Sequence, residues 1–167
     1  LGRARVTPDA LIGVCGAGAM GIGIAEVAAR AGHKVVVFDA VPASLARGAE
    51  TLRKGLDAQV ARGKLAAGEA EAIAGRINWA ERLAALAPAA LIIEAIIEDA
   101  SARKSLFADL ERAGPAAVLA TNTSSLSVTA LAAGLRRPDR FLGLHFFNPA
   151  TVMKLVEVVP GLATDAA

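Results

Sequence analysis

The chain has 167 residues, 54% of them hydrophobic and 20% charged, which suits one compact domain with its own core and excludes a disordered chain. Its 18 basic and 16 acidic residues leave a formal charge of +2, and no basic run is interleaved with aromatics, so nucleic acid is not an expected partner. Mean hydropathy is +0.49, yet the longest apolar run, Leu83 to Ile93, contains Pro88 and stops at Glu94, too short to cross a bilayer.

Leu1 to Ala10 has no clear period and reads as a leader. Arg3 and Arg5 precede an apolar stretch, but Pro8 and Asp9 intervene, so no targeting segment is expected. Leu11 to Cys15 reads as a buried strand, Gly16 to Gly21 as a glycine turn, and the next stretch as an amphipathic helix to Arg30 that stops at Ala31-Gly32. Lys34 to Asp39 is a β-branched strand ending on an acid. Pro42 suits a first helical turn, and Leu45, Leu52, Leu56 and Val60 keep near-helical spacing up to Arg62-Gly63-Lys64. Ala66 to Ala74 reads as a second helix. The pair is longer than a crossover needs and is expected to project from the sheet. Lys54, Arg62 and Lys64 could meet an acidic ligand, with a solvated face as the plainer alternative.

Further on, Ile77 to Trp79 is a short strand, Glu81 to Leu86 a short helix and Leu91 to Ala95 a buried parallel strand. Glu98-Asp99 opens a helix that runs to Arg112 and is broken by Gly114-Pro115. Val118 to Thr121 is the next strand, followed by the polar loop Asn122 to Ser125 and a short helix toward Ala133. This alternation predicts a Rossmann-type, doubly wound α/β fold with a mostly parallel sheet. After Arg137-Pro138, the strand-like runs Phe141 to Phe147 and Met153 to Val159 are joined by a short segment containing Asn148-Pro149. That link is too short for a parallel crossover, so an antiparallel hairpin is expected at the sheet edge.

Gly16, Gly18 and Gly21 form G-x-G-x-x-G between strand and helix. The first permits the tight turn, the second lets a diphosphate approach the backbone, and the third lets helix and strand pack closely. Helix N-terminal amides then face the anion. Asp39 lies 21 positions after Gly18, matching the carboxylate expected about 20 residues on at the ribose 2′-hydroxyl, and it would repel a 2′-phosphate. NAD is therefore favoured over NADP. The alternative for Asp39 is a helix cap or loop acid.

Ligands of such sheets lie beyond the carboxyl ends of the strands, which directs attention to Glu98, to Asn122 through Ser125, and to His145 and Asn148. Glu98 and Asp99 could instead favour a helix N-terminus, and Ser124 or Ser125 could cap the next helix. A lone strand histidine is ordinarily structural. His145 stands out because a hairpin turning about residue 151 sets it opposite Glu157, each six positions from the turn centre. Opposed side chains are roughly 5 Å apart at Cβ, within reach of a carboxylate to imidazole hydrogen bond. Leu155 and Val159 share the face of Glu157, making it an acid on an apolar stripe. Such a pair is the arrangement a general base requires. His33, in the turn before the second strand, is expected to have a structural or solvent role. Cys15 cannot form an internal disulfide and is expected in the core, in a reducing, cytoplasmic setting. No metal site is expected.

Taken together, the glycine motif, Ile93-Glu94-Ala95 with Glu98, Thr121 to Leu126, Gly143 to Pro149 and Met153 to Val158 resemble the NAD-binding domain of L-3-hydroxyacyl-CoA dehydrogenases. The resemblance covers nearly all of the chain from Leu11. It implies NAD as cofactor, a 3-hydroxyacyl-CoA substrate, and oxidation to the 3-ketoacyl-CoA in fatty-acid or related acyl-CoA breakdown. By the same resemblance His145 matches the catalytic base, Glu157 its orienting partner, and Ser124 a hydroxyl on the substrate oxygen. Ala17, Ala19 and Met20 join the three glycines at the cofactor. Glu98 and Asn148 match positions around the nicotinamide and its ribose. Arg103 stands where the family usually has a lysine near cofactor and substrate, keeping the charge but changing its geometry. Lys64 is a further expected substrate contact.

The resemblance also implies a boundary. Residues 11–161 form the cofactor domain, and 162–167 begin a connection to a helical domain that would close the cleft and form a homodimer. Thr164-Asp165 looks like the cap of that domain's first helix. Two other readings compete. A non-catalytic NAD-binding module needs no His145 and Glu157, and a dehydrogenase of free hydroxyacids would carry a different pair, often lysine-based.

Overall fold

In a computed structural model the described residues are 6–113 and 116–165. The expected break at Gly114-Pro115, most of the leader, and Ala166-Ala167 lie outside them. The strands are β1 (Ile12–Cys15), β2 (Val35–Phe38), β3 (Ile77–Ala80), β4 (Leu91–Glu94), β5 (Val118–Thr121), β6 (Phe141–Phe146) and β7 (Val156–Pro160). Between them run α1 (Ala19–Arg30), α2 (Pro42–Ala61), α3 (Ala67–Gly75), α4 (Ala100–Ala113) and α5 (Val128–Ala132). One seven-stranded sheet has the order β3-β2-β1-β4-β5-β6-β7. Every pairing is parallel except β6 with β7. This is the doubly wound order, with its reversal between β1 and β4.

The central strands read as apolar runs because both of their faces are covered. One core contains Val14, Ile24, Val37 and Leu56, and the other contains Ile92, Phe107, Leu110 and Phe141. In the second core the Phe107 and Phe141 rings meet edge to face at 4.7 Å. Both rings are fully buried, so truncating either to alanine would cost about 3 to 5 kcal/mol. Cys15 is also fully buried, at the end of β1. Among the described residues no helix is long and apolar enough to cross a membrane.

Three expectations need correction. The α2–α3 pair does not stand off from the sheet: Leu45, Leu52 and Leu56 of α2 and Ala70 and Ile73 of α3 are buried in the core shared with α1. The last strand begins at Val156, not Met153, because the chain is still turning there, with the Val152 and Met153 amides both donating to the Pro149 carbonyl at 3.0 Å. The apolar stripe around Glu157 is exposed, since β7 is an outer strand and Leu155 lies before it. His33 is structural, with Nδ1 3.1 Å from the Ala10 carbonyl oxygen.

Candidate active site

The glycine turn fits its steric reading. Gly16 has φ +105°, and a Cβ there would lie 2.6 Å from the Ala95 carbonyl oxygen. A Cβ on Gly21 would lie 1.9 Å from the Gly16 carbonyl oxygen, so α1 can start this close to β1 only over a glycine. Gly18, by contrast, has nothing within 4 Å of a Cβ position. It faces open space at the start of α1, in a cleft of about 520 Å³. Ala19 and Met20 share that cleft wall, whereas Ala17 is buried behind it.

The cleft runs along the carboxyl ends of β1, β4, β5 and β6. Its other walls are Ala95 to Glu98, Asn122 with Ser124, and His145 to Asn148. The expected pairing holds: β6 and β7 put His145 opposite Glu157, and the imidazole Nδ1 is 2.8 Å from Oε2 of Glu157. A carboxylate only accepts, so Nδ1 carries the proton and Nε2 is left for a substrate. The Phe147 ring lies against the imidazole, with centroids 4.6 Å apart. Ser124, in the loop after β5, is exposed on the same cleft. Asn122, the first residue of the polar loop singled out by sequence, ties that loop to β6 by accepting the Phe146 amide on Oδ1 at 2.8 Å.

Asp39 lies at the end of β2, on a second cleft of about 430 Å³ lined by Phe38, Leu83, Ala102 and Leu106 among others. Its Oδ2 accepts the Ala17 amide and its Oδ1 the Val41 amide, each at 2.9 Å. Sequence spacing located this acid but not its grip on the glycine turn.

Arg103 also lines the cleft at the glycine turn. Its side chain is 2% exposed, and it donates to the carbonyls of Ile97 (3.1 Å) and Ile96 (3.2 Å), to Thr121 Oγ1 (3.4 Å) and to Glu98 Oε2 (2.6 Å). It also pairs with the buried Glu94 at 3.1 Å. The guanidinium is thus held by the protein in the cleft floor, which Arg103 helps to line, because two carboxylates and two strand ends converge on it. Burial pushes the Glu94 carboxyl up, against the Thr121 hydrogen bond, the Arg103 charge and the Ile96 amide. Burial also raises Glu98, but hydrogen bonds from Thr123 and Ser125 and the Arg103 charge outweigh it and hold this carboxyl below the usual glutamate range.

Of the proposed caps, Asp99 serves α4 by accepting the Ala102 amide at 2.7 Å, while Ser127, not Ser124 or Ser125, caps α5. Lys64 lies exposed in the α2–α3 turn and lines neither cleft. Thr164 ties the chain back to β6, its hydroxyl donating to the Phe141 carbonyl at 2.5 Å and accepting the Gly161 amide at 2.8 Å.

Residues 11–167 match the family model of the 3-hydroxyacyl-CoA dehydrogenase NAD binding domain. The chain belongs to this family. Among 3-hydroxyacyl-CoA dehydrogenases, it is 49% identical to the 3-hydroxyadipyl-CoA dehydrogenase of Escherichia coli over 93% of its own length and 33% of that protein's. With the 3-hydroxybutyryl-CoA dehydrogenase of Mycobacterium tuberculosis it shares 44% identity, over 93% of this chain and 55% of the relative. The crystal structure of an Escherichia coli 3-hydroxybutyryl-CoA dehydrogenase superposes with a TM-score of 0.92 at 48% identity, over 95% of this chain and 34% of that one. The chain thus spans between a third and just over half the length of these relatives.

NAD is the cofactor of this family's domain, and the residues present fit it. The open approach at Gly18 leaves room for a diphosphate where a side chain would intrude, and the carboxylate of Asp39 suits a ribose diol.

Proposed function

We propose that this chain is the cofactor-binding part of an enzyme that oxidises a 3-hydroxyacyl-CoA to the 3-ketoacyl-CoA. The observation that carries the reading is the His145–Glu157 hydrogen bond on the wall of the cleft that starts at the glycine turn. Gly18, Ala19 and Met20 hold the diphosphate, with Gly16, Ala17 and Gly21 shaping the turn behind them, and Asp39 accepts from the ribose hydroxyls. Asn148 and Glu98 stand at the nicotinamide end. When bound, NAD supplies the hydride acceptor.

His145 Nε2 takes the 3-hydroxyl proton, which must leave as the carbon is oxidised. Glu157 fixes the tautomer that exposes Nε2 and stabilises the imidazolium that forms. Ser124 donates to the same substrate oxygen and orients it. Lys64, exposed in the α2–α3 turn, contacts the acyl-CoA substrate, and Arg103 acts from the cleft floor. A helical domain C-terminal to residue 161 completes the substrate site, and dimerisation occurs through it.

The test compares NADH formation from 3-hydroxybutyryl-CoA by the 167-residue chain and by a protein extended with the helical domain. Both should bind NAD, and the extended protein should turn over far faster, since fixing substrate against cofactor contributes roughly 7 to 11 kcal/mol. Comparable rates would show that the substrate site is complete in this chain. No turnover by the extended protein would overturn the activity.

A further inference from the structure

We propose that Arg103 and Glu98 form a positioning relay that fixes Ser124, so that the arginine set into the cleft floor positions the substrate-orienting hydroxyl on its wall. This rests on the dehydrogenase reading and on Ser124 as the contact to the substrate oxygen. The relay begins in the core. Arg103 is gripped by Glu94 at the end of β4, by two carbonyls of the loop after β4, and by Thr121 at the end of β5. A planar guanidinium can serve such dispersed acceptors at once, whereas an ammonium is a point donor of three bonds.

Held by Arg103 on Oε2, Glu98 turns its Oε1 toward the loop after β5. That single oxygen accepts from the Thr123 hydroxyl and, at 3.0 Å, from the Ser125 hydroxyl. The Thr123 Oγ1 in turn accepts the amides of Ser125 (3.3 Å) and Leu126 (2.9 Å). Ser124 therefore sits between two neighbours tied to one carboxylate oxygen, while its own side chain is exposed to the cleft. The anchoring residues carry the hydrogen bonds, and the residue between them is left to meet the ligand. A group that only contacts the cofactor would not need to bind both flanks of Ser124.

The experiment uses the protein that includes the helical domain, with 3-hydroxybutyryl-CoA as substrate. Ser125→Ala removes an exposed hydroxyl and leaves the fold intact, avoiding the uncompensated charge that truncating Arg103 would bury. It should lower kcat about tenfold, the scale of one hydrogen bond to a charged group, while NAD affinity by calorimetry stays unchanged and the protein stays folded with a modestly lower melting temperature. Glu98→Gln should lower kcat at least as far, and adding Ser125→Ala to it should cost nothing more. In a Ser124→Ala background, Ser125→Ala should likewise be silent. Arg103→Lys should retain only part of the rate. Additive losses, or a loss seen in NAD affinity with kcat unchanged, would overturn the relay alone. Full turnover by Ser124→Ala would overturn the role of Ser124 and the relay with it, and leave His145 and Glu157 untouched.

Discussion

The Asp39 carboxylate accepts the Ala17 amide at 2.9 Å, so the acid that ends β2 is fastened to the glycine turn that ends β1. The residue proposed to meet the NAD ribose therefore also shapes the glycine turn. The chain is expected to bind NAD at least about tenfold more tightly than NADP, which is about 1.4 kcal/mol. Because the clamp is lost with the charge, Asp39→Ser should weaken NAD without gaining NADP. Calorimetric titration with both cofactors checks this, and a variant that simply exchanges one preference for the other would show that the clamp is idle.

Gly18 and Gly21 separate binding from folding. Gly18→Ala meets nothing in the protein and should keep the wild-type melting temperature while losing NAD affinity by at least about tenfold, the methyl standing where a diphosphate must approach. Gly21→Ala drives a Cβ to within 1.9 Å of the Gly16 carbonyl oxygen and should lower the melting temperature outright. Thermal melts with and without NAD distinguish the two.

Glu157→Gln keeps the shape of the β6–β7 pair but removes the charge that supports an imidazolium. In the complete enzyme kcat should fall by about 10² to 10⁴, the range of general-base assistance, with NAD affinity nearly unchanged. A collapse of cofactor affinity instead would make Glu157 a folding residue.

Glu98 gives the protein an acid-dependent component of stability. Its carboxyl is held below the ordinary range in the folded state despite burial, by hydrogen bonds from Thr123 and Ser125 and the charge of Arg103. Its contribution is therefore present above the unfolded pKa of about 4.3 and is lost as pH falls through the lower folded value. Glu94 shifts the opposite way, chiefly by burial, and so costs stability as pH rises through its range. Most of that cost comes from burial and is common to the wild type and Glu98→Gln, the Glu98 charge being the smallest contributor to it. The difference in their melting temperatures should shrink from about pH 6 toward about pH 3. A constant difference would mean that the Glu98 charge contributes nothing.

The fold was legible where local rules and burial agree. The apolar runs at Leu11, Val35 and Leu91 can be covered on both sides only as inner parallel strands, and the glycine spacing marks the turn between the first of them and its helix. The pairing of His145 with Glu157 was legible because a short hairpin constrains register tightly. Arg103 was not, because a basic residue in a polar helix looks the same whether it meets solvent or the ends of two strands. Its partners Glu94 and Thr121 lie 9 and 18 positions away on separate strands, and only the sheet order brings them together. The cap of α5 escaped for a different reason. Ser124, Ser125 and Ser127 are chemically equivalent caps, and the carboxylate that takes Ser125 out of contention lies on another loop.

The burial of Cys15 turns this chain into its own stability gauge. It is the sole cysteine in the sequence, it lies on β1 between two partner strands, and its sulfur is shut away from solvent. Burial, with the nearby charges of Glu94 and Asp39, pushes the thiol far up, so almost no thiolate exists for an alkylating reagent. Labelling must wait until the middle of the sheet opens. The rate of alkylation in the folded protein, divided by that of the unfolded chain, thus reads the free energy of opening without an engineered probe. Adding NAD should slow it in proportion to cofactor occupancy.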